Sequence, residues 1–334
     1  MNAFLFALNA ILPIMILFLF GFFLKHIKFF NANFISQLNK YVFRVALPAL
    51  LFYNVYSVES LQNINWVVIG FSVAALFVIF LLAFVSVVIF IKDPKQKGVL
   101  LQAAFRSNFA LIGLPLAEEL GSPSAIVVIS LLFAFAIPLS NTLAVISLSM
   151  FQKNELGKVD IKSIFISVIK NPLIIGVLVG VVFLAARSFI PLDSQNELVF
   201  SLENNLSPLY KVIVWIKSTA SPLALIALGG QFEVSVVKKL KKQIIFGTMW
   251  RIALAPALVL TTAYFLSLKY SDFDQVFPAL IALFASPVAV SSVIMAEEMD
   301  NDGQLAGQLV VWTSIGSVIS LFVIITSLRS LGVL

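Results

Sequence analysis

The sequence predicts an all-α polytopic membrane protein: ten transmembrane helices in two inverted five-helix repeats, with helices 4 and 9 broken and crossing. Three observations carry this. Of 334 residues, 60% are hydrophobic and 11% charged, and the mean hydropathy is +1.05, whereas a soluble domain keeps about a quarter of its residues charged. Apolar windows of about 20 residues, the length that crosses a bilayer, recur through the whole chain. Two of them, RSNFALIGLPLAEELG and FPALIALFASPVAVSSVIMAEEM, hold a proline in mid-span, Pro115 and Pro287.

The spans read as 4–24, 34–56, 65–91, 98–121, 123–151, 162–187, 207–230, 243–268, 275–298 and 303–328. The first is no cleavable signal: it lacks a basic n-region, its apolar stretch is too long, and its first charges, Lys25 and Lys28, follow it. Span 2 carries Pro48 in RVALPALLF, span 5 carries Asn141 in FAIPLSNTLAV, span 6 contains NPLIIGVLVG and span 7 TASPLALIALGG. Spans 4 and 9 are expected to unwind at about 110–115, around Gly113 and Pro115, and at 284–288, around Pro287, and to cross near mid-membrane. Backbone freed there must line a polar cavity or be covered by protein. Connections are short except for 188–206, so residues 1–334 form one membrane domain with no room for a soluble catalytic unit.

The repeat is read from landmarks that recur in order. Pro13 precedes Gly21 by eight residues in span 1, and Pro172 precedes Gly180 by eight in span 6. Pro48 matches Pro222; Pro48 to Pro115 is 67 residues, and Pro222 to Pro287 is 65. Acidic pairs follow both breaks, Glu118 and Glu119, then Glu297 and Glu298. The units are 1–151 and 162–334. Five is odd, so the second enters the membrane upside down, the plan of many secondary carriers.

Orientation follows from the basic residues. Lys25, Lys28, Lys92, Lys95, Lys97, Lys153, Lys158, Lys162, Lys238, Lys239, Lys241 and Lys242 lie in odd-numbered loops, with the last four read as a solvated loop. Only Arg187, Lys211, Lys269 and Arg329 fall in the even loops and the tail. Both termini are therefore expected outside, with the odd loops in the cytoplasm of a bacterial inner membrane.

Several chemistries drop out. There is no cysteine, hence no disulfide, thiolate or cysteine-ligated metal. The single histidine, His26, reads as a solvated loop residue, so no metal or other cofactor is expected. The net charge of +6 comes from lysines beside spans and does not point to nucleic acid. All seven aspartates fall in loops or at span ends, which leaves no paired carboxylates for an intramembrane hydrolase or a hard-cation cage. The chain reads as a non-enzyme.

A carboxylate substrate needs donors without a large desolvation cost, and asparagine amides with the positive ends of half-helices near Pro115 and Pro287 supply them. Asn108 is the leading substrate-binding residue; tying spans together is its alternative role. Asn141 is a second intramembrane amide. Ser286, with Ser291 and Ser292, flanks the second break, although membrane serines commonly bond their own helix. Arg106 begins nine residues after Lys97 and is expected to snorkel to the cytoplasmic interface, on a helix face about 200° from Asn108. Arg44, Lys217 and Arg251 are further intramembrane cations. Glu118 is the coupling candidate, a proton-binding carboxylate one turn past Pro115, unless it already reaches the outer vestibule.

Together GFFLK after a proline-containing first span, YVFRVALPALLF, SNFALIGLPLAEELG, NPLIIGVLVG, SPLALIALGGQFE and ASPVAVSSVIMAEEM resemble the auxin efflux carrier family, over nearly the whole chain. That family includes plant PIN carriers and bacterial permeases for malate, malonate or similar acids. The resemblance implies a scaffold of spans 1, 2, 6 and 7, a transport domain of spans 3–5 and 8–10, and a homodimer. It also implies that Asn108, seven residues before Pro115, stands where plant relatives place a substrate-contacting asparagine. The chain differs from the plant carriers in its short central loop, 152–161, and in Glu118. The function expected is secondary active transport of a small organic anion by alternating access. A passive uniporter or channel, or a receptor of the same fold, is the alternative.

The orientation is directly testable in this cysteine-free chain. A cysteine placed at residue 156 should resist an impermeant thiol reagent added to intact cells and react once the cells are opened; labelling in intact cells would invert the topology.

Overall fold

The computed structural model describes residues 3–57, 66–109, 123–152, 166, 169–187, 189–191, 199–273 and 276–334. Among the described residues the regular elements are helical. They are α1 (Ala3–His26), α2 (Ala32–Tyr41), α3 (Leu47–Tyr56), α4 (Trp66–Phe90), α5 (Pro94–Phe105), α6 (Pro123–Ser149), α7 (Pro172–Arg187), α8 (Leu202–Asn205), α9 (Ser207–Gln231), α10 (Val234–Met249), α11 (Ala255–Ser267), α12 (Phe277–Phe284), α13 (Ser291–Glu298) and α14 (Gly303–Ser330). Four described segments are long and apolar enough to cross a membrane: α4, α9, the continuous Ser235–Ser267 stretch and α14. Starts are set by side chains that accept orphan backbone N–H groups. Asn31 takes Phe34 N–H, Asp93 takes Lys95 N–H with Pro94 following it, and Asp302 takes Leu305 N–H.

Two helices deviate in the same way for the same reason. A single π turn, Val42–Ala46, joins α2 to α3, and another, Trp250–Leu254, joins α10 to α11. Each lies just before a proline near the start of the next helix, Pro48 or Pro256. Proline has no N–H and its ring crowds the carbonyl four residues back, so the ladder slips to longer bonds. Leu47 N–H reaches Val42 O, and Ala255 N–H reaches Trp250 O.

Two sequence expectations are corrected. Span 8 starts at Val234, not 243, and Lys238, Lys239, Lys241 and Lys242 are exposed on helix α10 instead of lying in a loop. Lysine is a good helix former, and the flanking Val236 and Ile244 are buried, which is enough to wind the segment. The first break also comes early: α5 ends at Phe105, ahead of the expected 110–115. Gly113, Pro115 and Glu118 lie outside the described residues, as does most of the 152–161 loop.

Two close helix pairs form one layer, α1 against α9 and α3 against α7. Glycine lets these backbones touch, the device by which membrane helices gain contact where lipid gives no hydrophobic drive. A Cβ on Gly21 would stand 2.1 Å from Ile226 O, and one on Gly180 would stand 3.0 Å from Phe52 O. Ile226 is four residues past Pro222, and Phe52 is four past Pro48. The same contact thus occurs twice, between matched positions of the two halves.

Loop residues gather alternately at two ends. At one end Lys95 Nζ meets Asp300 at 2.8 Å, Gln96 bonds Asp302 and Gln243, and Gln152 and Asn301 bond carbonyls of Met299 and Leu148. At the other, Arg187 donates to Tyr56 O, Tyr56 Oη accepts from Leu202 N–H, and Phe71 packs edge-on to Phe273. The first group comes from odd loops and their flanks, the second from even ones.

Gly229 tests the close packing, because a Cβ there would lie 1.9 Å from Phe18 O, whereas Gly70 faces open space. Gly229→Ala should destabilise by about 1–3 kcal/mol. Gly70→Ala should be neutral or gain up to about 1 kcal/mol from helix propensity. Thermal unfolding of the two variants in one detergent decides; equal melting temperatures would refute the seam.

Candidate functional site

Two interrupted helices meet in the middle of the bundle. Past Phe105 the backbone turns extended at Arg106 (φ −85°, ψ 101°). Past Phe284 it leaves helical hydrogen bonding until α13 begins at Ser291. Pro287 removes a donor and biases Ser286 away from helix. The two segments pair as a short antiparallel bridge between Ser107 and Val288. Asn108 N–H donates to Pro287 O at 2.8 Å, and Ala289 N–H donates to Arg106 O at 3.2 Å.

The remaining freed groups are met by side chains from neighbouring helices. Thr313 Oγ1, from α14, accepts Val288 N–H at 3.0 Å and donates to Leu309 O. Gln102 Nε2 donates to Ser292 O at 3.2 Å. Arg251, from the π turn before α11, is wholly buried and binds carbonyls on both sides of the crossing. Its Nε donates to Ser286 O at 2.8 Å, one terminal nitrogen to Ala104 O at 3.2 Å, and the other to Leu283 O and Phe284 O at 3.1 and 2.6 Å. α5 and α12 both end here, so their negative dipole ends converge on a guanidinium that can satisfy several acceptors in one plane.

A cavity of about 60 Å³ opens beside the crossing. Its polar wall is Arg106, Ser107, Asn108, Ser140, Asn141 and Ser291, and its opposite wall is apolar or small, from Leu47, Leu50 and Leu51 on α3 and Ala224 on α9. It has room for about four or five waters. Arg106 is buried, at 4% exposure, and donates to Ser292 Oγ at 3.0 Å and Asn141 Oδ1 at 2.7 Å. Asn141 Nδ2 in turn donates to Ile137 O. Asn108 is 6% exposed, and its Nδ2 has no hydrogen-bond partner. No carboxylate among the described residues contacts Arg106.

Asn108 and Asn141 therefore share one cavity. Ser286 does not join them: its hydroxyl donates back to Ala282 O of α12 and it is fully buried away from the cavity wall. Ser291 lines the cavity in its stead, where α13 begins. Arg106 is the main correction. The expected snorkelling fails because α5 stops at Phe105, so Arg106 is not on a helix and the 200° separation from Asn108 does not apply. Arg251 was recognisable only as an intramembrane cation; nothing local announces that its partners are carbonyls from two other helices.

Arg251 should be the costliest single truncation in the protein. Arg251→Met leaves several buried carbonyls unmet at about 1–3 kcal/mol each, and should abolish a cooperative melt. Arg251→Lys, with three donors on one atom, should recover only part of the stability. A wild-type melting temperature in Arg251→Met would refute the clamp.

No individual curated protein matches the chain significantly. The family model described as membrane transport protein matches residues 6–325, nearly the whole sequence. The auxin efflux carriers make up this family, whose work is membrane transport and not enzymatic turnover. With its two unwound segments paired beside a buried polar cavity, the chain belongs to the membrane transport protein family of auxin efflux carriers.

Proposed function

We propose that the protein is a secondary active transporter of small organic anions, carboxylates above all, that binds its substrate at the helix crossing. One observation carries the reading. Among the described residues the cavity holds a buried guanidinium with only neutral partners, beside an asparagine amide with an unfilled donor. Arginine stays charged in proteins, and a buried ion without a counter-ion costs several kcal/mol. A carboxylate would neutralise Arg106 and accept from Asn108 Nδ2, with the N-terminus of α13 at Ser291 adding a favourable dipole.

Alternating access fits the two walls of the cavity. The polar wall belongs to the segment after α5, to α6 and to the start of α13, and the opposite wall to α3 and α9, part of the glycine-packed layer. We read that layer as the scaffold and the crossing helices as the moving unit, within ten spans built as two inverted five-helix repeats. The doubled glycine contact, at matched distances from Pro48 and Pro222, supports the repeat. The lysine-rich end is read as cytoplasmic in a bacterial inner membrane.

Purified protein screened by thermal shift against mono- and dicarboxylates should yield a stabilising ligand, since binding only the folded state raises its stability. Calorimetric titration of that ligand into Asn108→Ala and Arg106→Gln should then show losses of about 1.5–3 kcal/mol each, roughly ten- to 150-fold in Kd. Full affinity in both folded variants, or no stabilising carboxylate at all, would refute the reading.

A further inference from the structure

A second polar cluster lies at the lysine-rich end, away from the crossing. Glu297, on the last turn of α13, is half-buried and accepts from two neutral amides through Oε2: Asn39 Nδ2 of α2 and Gln231 Nε2 of α9, the latter at 3.2 Å. Asn39 is 2% exposed. The carbonyl oxygens of both amides, Asn39 Oδ1 and Gln231 Oε1, are buried without any hydrogen-bond partner. Beside them is a cavity of about 30 Å³, lined by Glu297, Glu233, Gly303, Gln304 and Gln308, with room for about two waters.

The charges nearby do not neutralise this carboxylate. Glu298 adjoins it on α13, Glu233 follows α9, Asp302 caps α14, and Lys40 follows Asn39 on α2. None of them forms an ion pair with Glu297. An unpaired carboxylate drawn out of water is costly, and two stranded carbonyl oxygens add to that cost. One ligand answers both. A small cation on the carboxylate cancels its charge, and rotation of either amide about its last bond turns an idle oxygen toward that cation.

We propose that Glu297, with Asn39 and Gln231, binds a small monovalent cation, a proton or a sodium ion, as α13 closes against α2 and α9. The cavity is too small for an organic cation. On the transport reading above, α13 belongs to the moving unit and α2 and α9 to the scaffold, so the cation stabilises the state in which this end is shut. That would couple a cation gradient to access. The binding step itself does not depend on that reading.

The test needs no transported substrate. Full-length wild type, Glu297→Gln and Glu298→Gln are melted at fixed ionic strength in two series. One replaces choline with sodium; the other lowers the pH from about 8 to about 6 without sodium, so that proton binding by the folded state is read as linkage. One series should raise the wild-type melting temperature by on the order of 2–3 °C more than it raises that of Glu297→Gln, with Glu298→Gln shifting like wild type. The responding series identifies sodium or the proton. Identical behaviour of wild type and Glu297→Gln in both series, or equal loss in Glu298→Gln, overturns the proposal. Should Glu297→Gln not fold, Gln231→Leu replaces it: a reduced response supports the site, and a full response overturns it. Since no carboxylate ligand is present, failure here leaves the crossing site standing, and failure of anion binding there leaves this site standing.

Discussion

Breaking two helices inside a bilayer strands backbone groups that lipid cannot hydrogen-bond, and the structure turns on how those groups are met. Arg251 does most of it, holding carbonyls from the ends of α5 and α12 in a single guanidinium plane. The bridge between Ser107 and Val288 satisfies the segments against each other, and Thr313 takes the amide that Pro287 leaves exposed. With these contacts made, Arg106 and Asn108 line one cavity with Asn141.

The two buried arginines differ in what surrounds them, and that difference separates structure from function. Arg251 faces carbonyls carrying the negative ends of two helix dipoles, so its charge is offset within the protein. Arg106 faces a serine hydroxyl and an asparagine oxygen, which hydrogen-bond it without cancelling its charge. The first is a clamp that needs nothing further, and the second is the ground on which we propose an anion site. Glu297 poses the converse problem at the lysine-rich end, an anion met only by amides. Each imbalance sits on the crossing helices and faces the glycine-packed layer, the boundary along which alternating access would work.

Much of this was legible in the sequence. Prolines and glycines act through local sterics, so Pro287 marked its break, and Gly21 and Gly180, read in the sequence as repeat landmarks, lie where backbones touch. The end of α5 at Phe105 was not foreseen because Arg106, Ser107 and Asn108 include no helix breaker; they pair instead with residues 287–289, far away in sequence. Helical-wheel geometry then assigned Arg106 to the wrong environment. The helical start at Val234 was missed because four lysines read as a loop, although their spacing around Val236 and Ile244 was helical. Partners contributed by distant helices, as at Arg251 and Glu297, left no local sign.

The central claim is that Arg106 makes the crossing an anion site, and charge-specific binding tests it most directly. Calorimetry should compare a bound carboxylate with its primary amide, which keeps the shape and loses the charge, in wild type and in Arg106→Gln. The account predicts that wild type prefers the acid by at least about tenfold, worth about 1.4 kcal/mol, and that Arg106→Gln binds the two alike. Equal discrimination in both proteins would contradict it.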